Sequence, residues 1–162
     1  MSQSGSFGVN YLRVWTAAQY AATPPAALMD RGSNKDGVFQ LVKAASTIAQ
    51  YALVSFDSVG TAAEATTTTY ATASGLGFAQ VAIATGEYAW VWIGCGGGVG
   101  SGIKGKVAAN FAAGGILNTT AVAGVADDAA TKVIGGAGLT LDSGSGSSIE
   151  LYASGFLGRY TN

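Results

Sequence analysis

Tyr88-Ala-Trp90-Val-Trp92-Ile93 is the stretch whose reading decides the fold. Successive side chains of a strand point to opposite faces, so Tyr88, Trp90 and Trp92 share one face and Ala89, Val91 and Ile93 the other. One face packs into a core, and the other meets core or a neighbouring copy, which makes Tyr88, Trp90 and Trp92 core or oligomer-contact candidates. Gly77–Ala84 precedes this strand across a turn at Thr85-Gly86, and the two form an antiparallel pair. Further upstream, Val38–Lys43 and Tyr51–Phe56 form a first pair, and the second of these runs carries apolar residues on both faces. The tract Thr66–Thr69 is β-competent but polar and reads as solvated. Downstream, 94–105 is a glycine-rich loop, and Lys106–Ala109, Ile116–Thr120, Lys132–Ala137 and Ser148–Ala153 complete the sheet. About eight short strands with glycine corners predict a mainly β chain, a small β-barrel-like domain that is closed or nearly closed.

A faint internal echo accompanies this pattern. Ile48-Ala-Gln-Tyr-Ala-Leu53 resembles Phe111-Ala-Ala-Gly-Gly-Ile116, each followed by a Thr/Ala-rich connection and two strands, which suggests two four-strand halves. Residues 1–35 read differently. They hold scattered large residues and Pro24-Pro25, which ends any helical turn begun at Val14–Tyr20. The turn cluster Arg31-Gly-Ser-Asn-Lys-Asp-Gly37 marks a boundary, so 1–35 is expected as an extended N-terminal arm and 36–162 as the β-barrel-like body. Large apolar residues on such an arm mean that it docks somewhere.

Composition narrows the function. Of 162 residues, only 10% are charged, with eight Lys+Arg against nine Asp+Glu, so no basic footprint for nucleic acid exists. Histidine is absent, which removes Ser-His-Asp and Cys-His catalysis, His-ligated metals and histidine switching. Cys95 is the lone cysteine, so no intramolecular disulfide or Cys-rich metal site can form. The stretches 65–86, 88–103 and 107–126 lack charge, but each is broken by polar residues or glycines, so no transmembrane helix is expected. The N-terminus lacks a basic start followed by an apolar core and does not read as a signal peptide.

The chemical motifs are near misses. Gly100-Ser-Gly-Ile-Lys-Gly105-Lys106-Val107 matches the phosphate-cradling loop, but valine replaces the hydroxyl residue that would hold Mg²⁺. Every frame of G-x-G-x-x-G through Gly94–Gly100 fails, because Val99, Ser101 or Ile103 stands where glycine is needed. Leu139-Thr-Leu141-Asp142-Ser143-Gly144 resembles an aspartic-protease loop, yet the only other Asp-Ser, at Asp57-Ser58, lacks the following glycine. Asp127-Asp128 has no third carboxylate nearby to build a Ca²⁺ shell. Cys95 has no basic neighbour to activate it, and the sequon Asn118-Thr-Thr120 matters only in a secreted chain. The expectation is a non-enzyme without cofactor or metal. A carbohydrate-binding or receptor-facing module would instead expose Trp90, Trp92 or Tyr152 in a groove, and a tail or fibre component of a virion is a further alternative.

A resemblance sharpens this. Thr85-Gly-Glu-Tyr-Ala-Trp-Val-Trp-Ile-Gly94, a glycine-rich turn and Lys106-Val-Ala are followed by Ala112-Ala-Gly-Gly-Ile-Leu117, Gly124-Val-Ala-Asp-Asp-Ala-Ala130, Lys132-Val-Ile-Gly135 and Ile149-Glu-Leu151. In order and spacing these segments, over roughly 36–155, resemble the capsid decoration (cement) proteins of tailed bacteriophages. The resemblance implies a compact β-barrel-like body, often trimeric, on the outer surface of the head, with an N-terminal arm along the major capsid protein. It implies contact with that protein and with other copies of the chain, while the charge balance and the broken apolar stretches argue against nucleic-acid and membrane partners. The capsid-interface candidates are then the large arm residues Phe7, Tyr11, Leu12, Trp15 and Tyr20, with Phe156, Arg159 and Tyr160 of the aromatic C-terminus. An arm of this length spans up to about 100 Å when extended.

Overall fold

The computed structural model describes residues 8–129, 132–139 and 147–158. Among them run twelve strands. β1 (Val14–Trp15), β2 (Arg31–Asn34), β3 (Gly37–Ala44), β4 (Leu53–Phe56), β5 (Thr61–Glu64) and β6 (Gly75–Ala79) come first. β7 (Tyr88–Gly97), β8 (Lys104–Lys106), β9 (Ile116–Thr119), β10 (Ala126–Asp127), β11 (Val133–Gly138) and β12 (Ser148–Phe156) follow. The helices α1 (Ala17–Ala22) and α2 (Thr67–Tyr70) are short. The chain is mainly β, as expected, but four strands exceed the expectation. β1, β2, β5 and β10 are two to four residues long and lack alternating large apolar side chains, so periodicity gives them no signal.

The twelve strands form one sheet that is not a single closed barrel. Its pairings run in two circuits of the same design. In the first, β3 pairs antiparallel with β7, β7 with β6, β6 with β4 and β4 with β5, and β5 returns parallel to β3. In the second, β8 pairs antiparallel with β12, β12 with β11, β11 with β9 and β9 with β10. A parallel bridge from Ala126 to Val107 then brings β10 back beside β8. Individual bonds repeat as well. Ala45 N–H donates to Ala62 O and Ala108 N–H to Ala126 O, each at 2.8 Å. Tyr51 N–H donates to Ala79 O at 2.7 Å and Gly114 N–H to Gly138 O at 2.8 Å. Ala49 N–H meets the Glu64 carboxylate at 2.8 Å and Ala112 N–H the Asp128 carboxylate at 2.7 Å. The echo of Ile48–Leu53 in Phe111–Ile116 therefore marks a tandem repeat, of five strands per module rather than four.

The strand that decides the fold is partitioned as its alternation requires. Ala89, Val91 and Ile93 point into the first module, where they pack with Val42, Ala44, Ile48, Val54, Phe56, Ala62 and Ala79. Trp90 and Trp92 point the other way, into a second core that holds Phe39, Leu53 and Phe78 beside the interior of the second module, Val107, Phe111, Leu117, Ile149 and Leu151. β7 also pairs with β12 beyond Ile93, Tyr152 facing Gly97, which welds the modules into one sheet. Gly97 has φ +82°, and a Cβ there would fall 2.2 Å from the Leu151 carbonyl oxygen, so only glycine allows that approach.

The modules fill equivalent positions with different volumes. Ala79 shares the first core with Ile48 and Ala89, whereas its counterpart Gly138 faces Phe111 and Ile149 in the second. A Cβ on Gly138 would lie 2.3 Å from Ile149 Cδ1 and 2.5 Å from Phe111 Cε1. The larger neighbours occupy the space that the missing methyl leaves.

Two local expectations are corrected. The runs around Val38–Lys43 and Tyr51–Phe56 do not pair with each other; β3 lies between β7 and β5, and β4 between β5 and β6. The threonine tract is helical rather than β. The Thr66 hydroxyl accepts from Thr69 N–H and the Thr69 hydroxyl from Thr66 N–H, a reciprocal cap that outweighs β-propensity. Tyr70 anchors that turn, buried, with its hydroxyl donating to Val133 O at 3.2 Å.

Candidate functional site

Exposed large apolar side chains lie on the N-terminal segment at Leu12, on the second module at Ile116, Val122, Tyr152 and Phe156, and singly in loops at Val59 and Val99. From Gly8 to Asn34 the segment lies along the body. Thr16 caps α1 through a capping box with Gln19, and the preceding Val14-Trp15 pairs with Ala89 and Tyr88 of β7. Tyr11 stacks on Phe39, with centroids 4.8 Å apart and rings 5° from parallel, and Tyr20 stacks on Tyr88 at 3.9 Å. The Tyr11 hydroxyl donates to one Asp36 carboxylate oxygen at 3.3 Å while the Lys35 ammonium holds the other at 2.7 Å. Burial, and then the Asp36 charge, push the Tyr11 hydroxyl above its ordinary pKa. The turn cluster that marked the boundary is the turn of the β2–β3 hairpin, in which Arg31 faces Gln40 and Asn34 faces Gly37.

The interface candidates are thus distributed unevenly. Trp15 is buried, Tyr11 and Tyr20 are half-covered by their stacking partners, and Leu12 is exposed. Phe156 is exposed at the end of β12, with the Arg31 guanidinium 4.8 Å above its ring. Phe7, Arg159 and Tyr160 lie outside the described residues. Trp90 and Trp92 lie in the core with Tyr88 packed against them, so the two tryptophans offer no accessible platform for stacking a sugar.

The residues with chemical promise serve the backbone. The Asp128 carboxylate ties Ala112 N–H and the Asp57 carboxylate accepts from Val59 and Thr61 N–H. Lys106 belongs to a strand, not to the start of a helix as a phosphate loop requires. Asn118 is buried in β9 and donates to Ile116 O, and Cys95 is a half-buried free thiol. Asp142 lies outside the described residues. Among the described residues no three His, Cys, Asp or Glu side chains gather in a metal-binding group, and no helix is long and apolar enough to cross a membrane.

Sequence reasoning passed over Ile116 as a surface residue. It is in register with Ala137, which is in register with Tyr152, so the three form a row across β9, β11 and β12. Tyr152 and Phe156 border a shallow hollow floored by Gly136, Ala137 and Gly155. The repeat holds the missing signal, because Ile116 is the counterpart of the buried Leu53 and such a residue on the surface stands out only once the modules are aligned. No family model matches this sequence, and no curated protein or solved structure matches it either.

Proposed function

We propose that the chain is a structural protein of a phage virion that binds the outside of the head and staples neighbouring major capsid subunits against the pressure of the packaged genome. Two things support the reading. The ordered segments between 36 and 155 resemble capsid decoration proteins, and a sparsely charged body exposes the apolar side chains Leu12, Ile116, Tyr152 and Phe156. The exposed apolar surface is the observation that carries it. Burying a few such side chains at each of many repeated contacts converts weak attachment into avidity. The action is mechanical, with the major capsid protein and further copies of the chain as partners, the family it resembles being often trimeric. Residues 8–34 are folded onto the body within one chain, so the contact runs over the body's surface and the edge carrying Leu12.

Co-sedimentation with expanded head shells tests this, using the full chain beside a variant lacking residues 1–7. Saturable pelleting that persists in high salt is expected, because apolar contacts are not screened as ion pairs are. Absence of pelleting overturns the reading.

A further inference from the structure

The two modules have kept few side chains in common. They correspond through shared bonds, Ala45 and Ala62 answering to Ala108 and Ala126, and Ala49 with Glu64 to Ala112 with Asp128. Residues 44–65 then match 107–129, with Ala123 as a one-residue insertion. Core positions have drifted, Ile48 against Phe111, Leu53 against Ile116 and Phe56 against Thr119. Where the stretches agree, the shared residue is alanine or glycine at every position but one. The exception is a valine, Val59 in the β4–β5 turn and Val122 in the β9–β10 turn. The buried Gln80 side chain clamps β8 nearby, by accepting from Lys104 N–H at 3.0 Å and donating to Lys104 O at 2.9 Å, so the modules are held in a fixed relation.

The two turns are built alike. In each, the side chain two residues earlier accepts the valine N–H, Asp57 Oδ1 from Val59 at 3.0 Å and Thr120 Oγ1 from Val122 at 2.9 Å. A glycine of positive φ follows, Gly60 at +85° and, past the insertion, Gly124 at +73°. Both valines project into solvent, 65% and 62% exposed. A lone exposed valine needs no explanation, but the same apolar side chain at both tips, where polar residues are usual, has no packing within the chain to keep it there. Gly124 O accepts from Leu53 N–H at the start of β4, and Val59 lies just beyond the end of that strand, so the tips stand about 15–25 Å apart. We infer that the valine-tipped turns are paired contact points, each filling one of two like apolar sockets on a partner whose surface repeats. A partner with a single socket would hold one tip and leave the other to drift as the core positions have. The inference rests on the decoration reading, in which neighbouring major capsid subunits are such a partner, and it names two residues that grip them. Engaging both tips at once turns two weak contacts into one firm attachment.

Co-sedimentation with expanded head shells compares the full wild-type chain with Val59→Ser, Val122→Ser, the double variant and Val99→Ser. Val99 is the control, a valine 85% exposed in the β7–β8 loop and outside the matched stretches. Each single variant at a turn tip is expected to raise the apparent dissociation constant about five- to tenfold, both to a similar extent, and the double variant about fiftyfold or more. Val99→Ser is expected to bind as the wild type does. All four variants should keep the wild-type urea midpoint, because exposed substitutions leave the core untouched, which separates a lost contact from a lost fold. Pelleting that ignores either turn-tip variant, or that Val99→Ser weakens as much, overturns the inference and leaves the decoration reading intact. A wild type that does not pellet overturns both.

Discussion

Replacing Gly138 by alanine tests whether the second module is packed to the limit that its geometry implies. The added methyl would lie 2.3 Å from Ile149 Cδ1 and 2.5 Å from Phe111 Cε1, both far inside contact distance. Ile149 and Phe111 are themselves buried, so relief requires the core to move. Overpacking of this kind costs about 1–3 kcal/mol, and the stiffer unfolded chain of the alanine variant offsets up to about 1 kcal/mol of it. A net loss of about 1–2 kcal/mol is expected in urea unfolding at 25 °C, with the slope against denaturant unchanged. The stronger test is a double-mutant cycle with Ile149→Val, which removes the Cδ1 atom in the closest clash. That change alone costs about 0.5–1.5 kcal/mol. In the Gly138→Ala background it should cost at least about 0.5 kcal/mol less, because it also relieves a collision. A neutral Gly138→Ala, or two changes that simply add, would refute the argument that missing and added volume compensate here.

Other outcomes follow from the same structure. Gln80→Leu leaves both polar groups of Lys104 without their clamp, and a loss of about 2–3 kcal/mol with faster hydrogen exchange at the Lys104 amide is expected. Gly97→Ala combines φ +82° with a collision on the Leu151 carbonyl, and a loss of about 3 kcal/mol or more should appear in thermal melts. Tyr11 has a folded pKa raised above 10.0, so its contribution is complete below pH 10 and fades as pH climbs through the higher folded value. Thermal melts from about pH 9 upward should show the wild type losing stability more steeply than Tyr11→Phe, and identical slopes would contradict this.

The sequence was legible where one residue type alternates strongly. β7 could be placed, with both faces assigned, because aromatic and aliphatic residues take turns for six positions and each set then finds its own core. The circuits were not legible, because pairing β3 with β5 and β7 depends on partners distant in the chain and on strands too short to carry a period. Thr66–Thr69 misled because threonine favours strands by shape yet caps helices through its hydroxyl, and only the buried Tyr70 decides between them. The surface row was hidden for a related reason. Ile116 carries no sign of exposure, and Tyr152 stands out only for the carbohydrate-binding alternative, until their counterparts Leu53 and Trp92 show that one row is covered and the other is not.

The unequal filling of the two modules has a consequence for how the chain assembles. Two like modules in one polypeptide offer every strand a wrong site beside the right one, and exchange between such neighbours is a common route to misfolding in repeats. At Ala79 and Gly138 backbone bonding cannot discriminate, since Ala79 bonds to Tyr51 and Ala52 as Gly138 does to Gly114 and Gly115. Side-chain volume can. A strand bearing Ala79 collides in the slot shaped by Phe111 and Ile149, and one bearing Gly138 leaves a void against Ile48 and Ala89. A single methyl group, present in one module and absent from the other, thus works as proofreading: it lets each half of the chain reject the other's strands while the sheet is still forming.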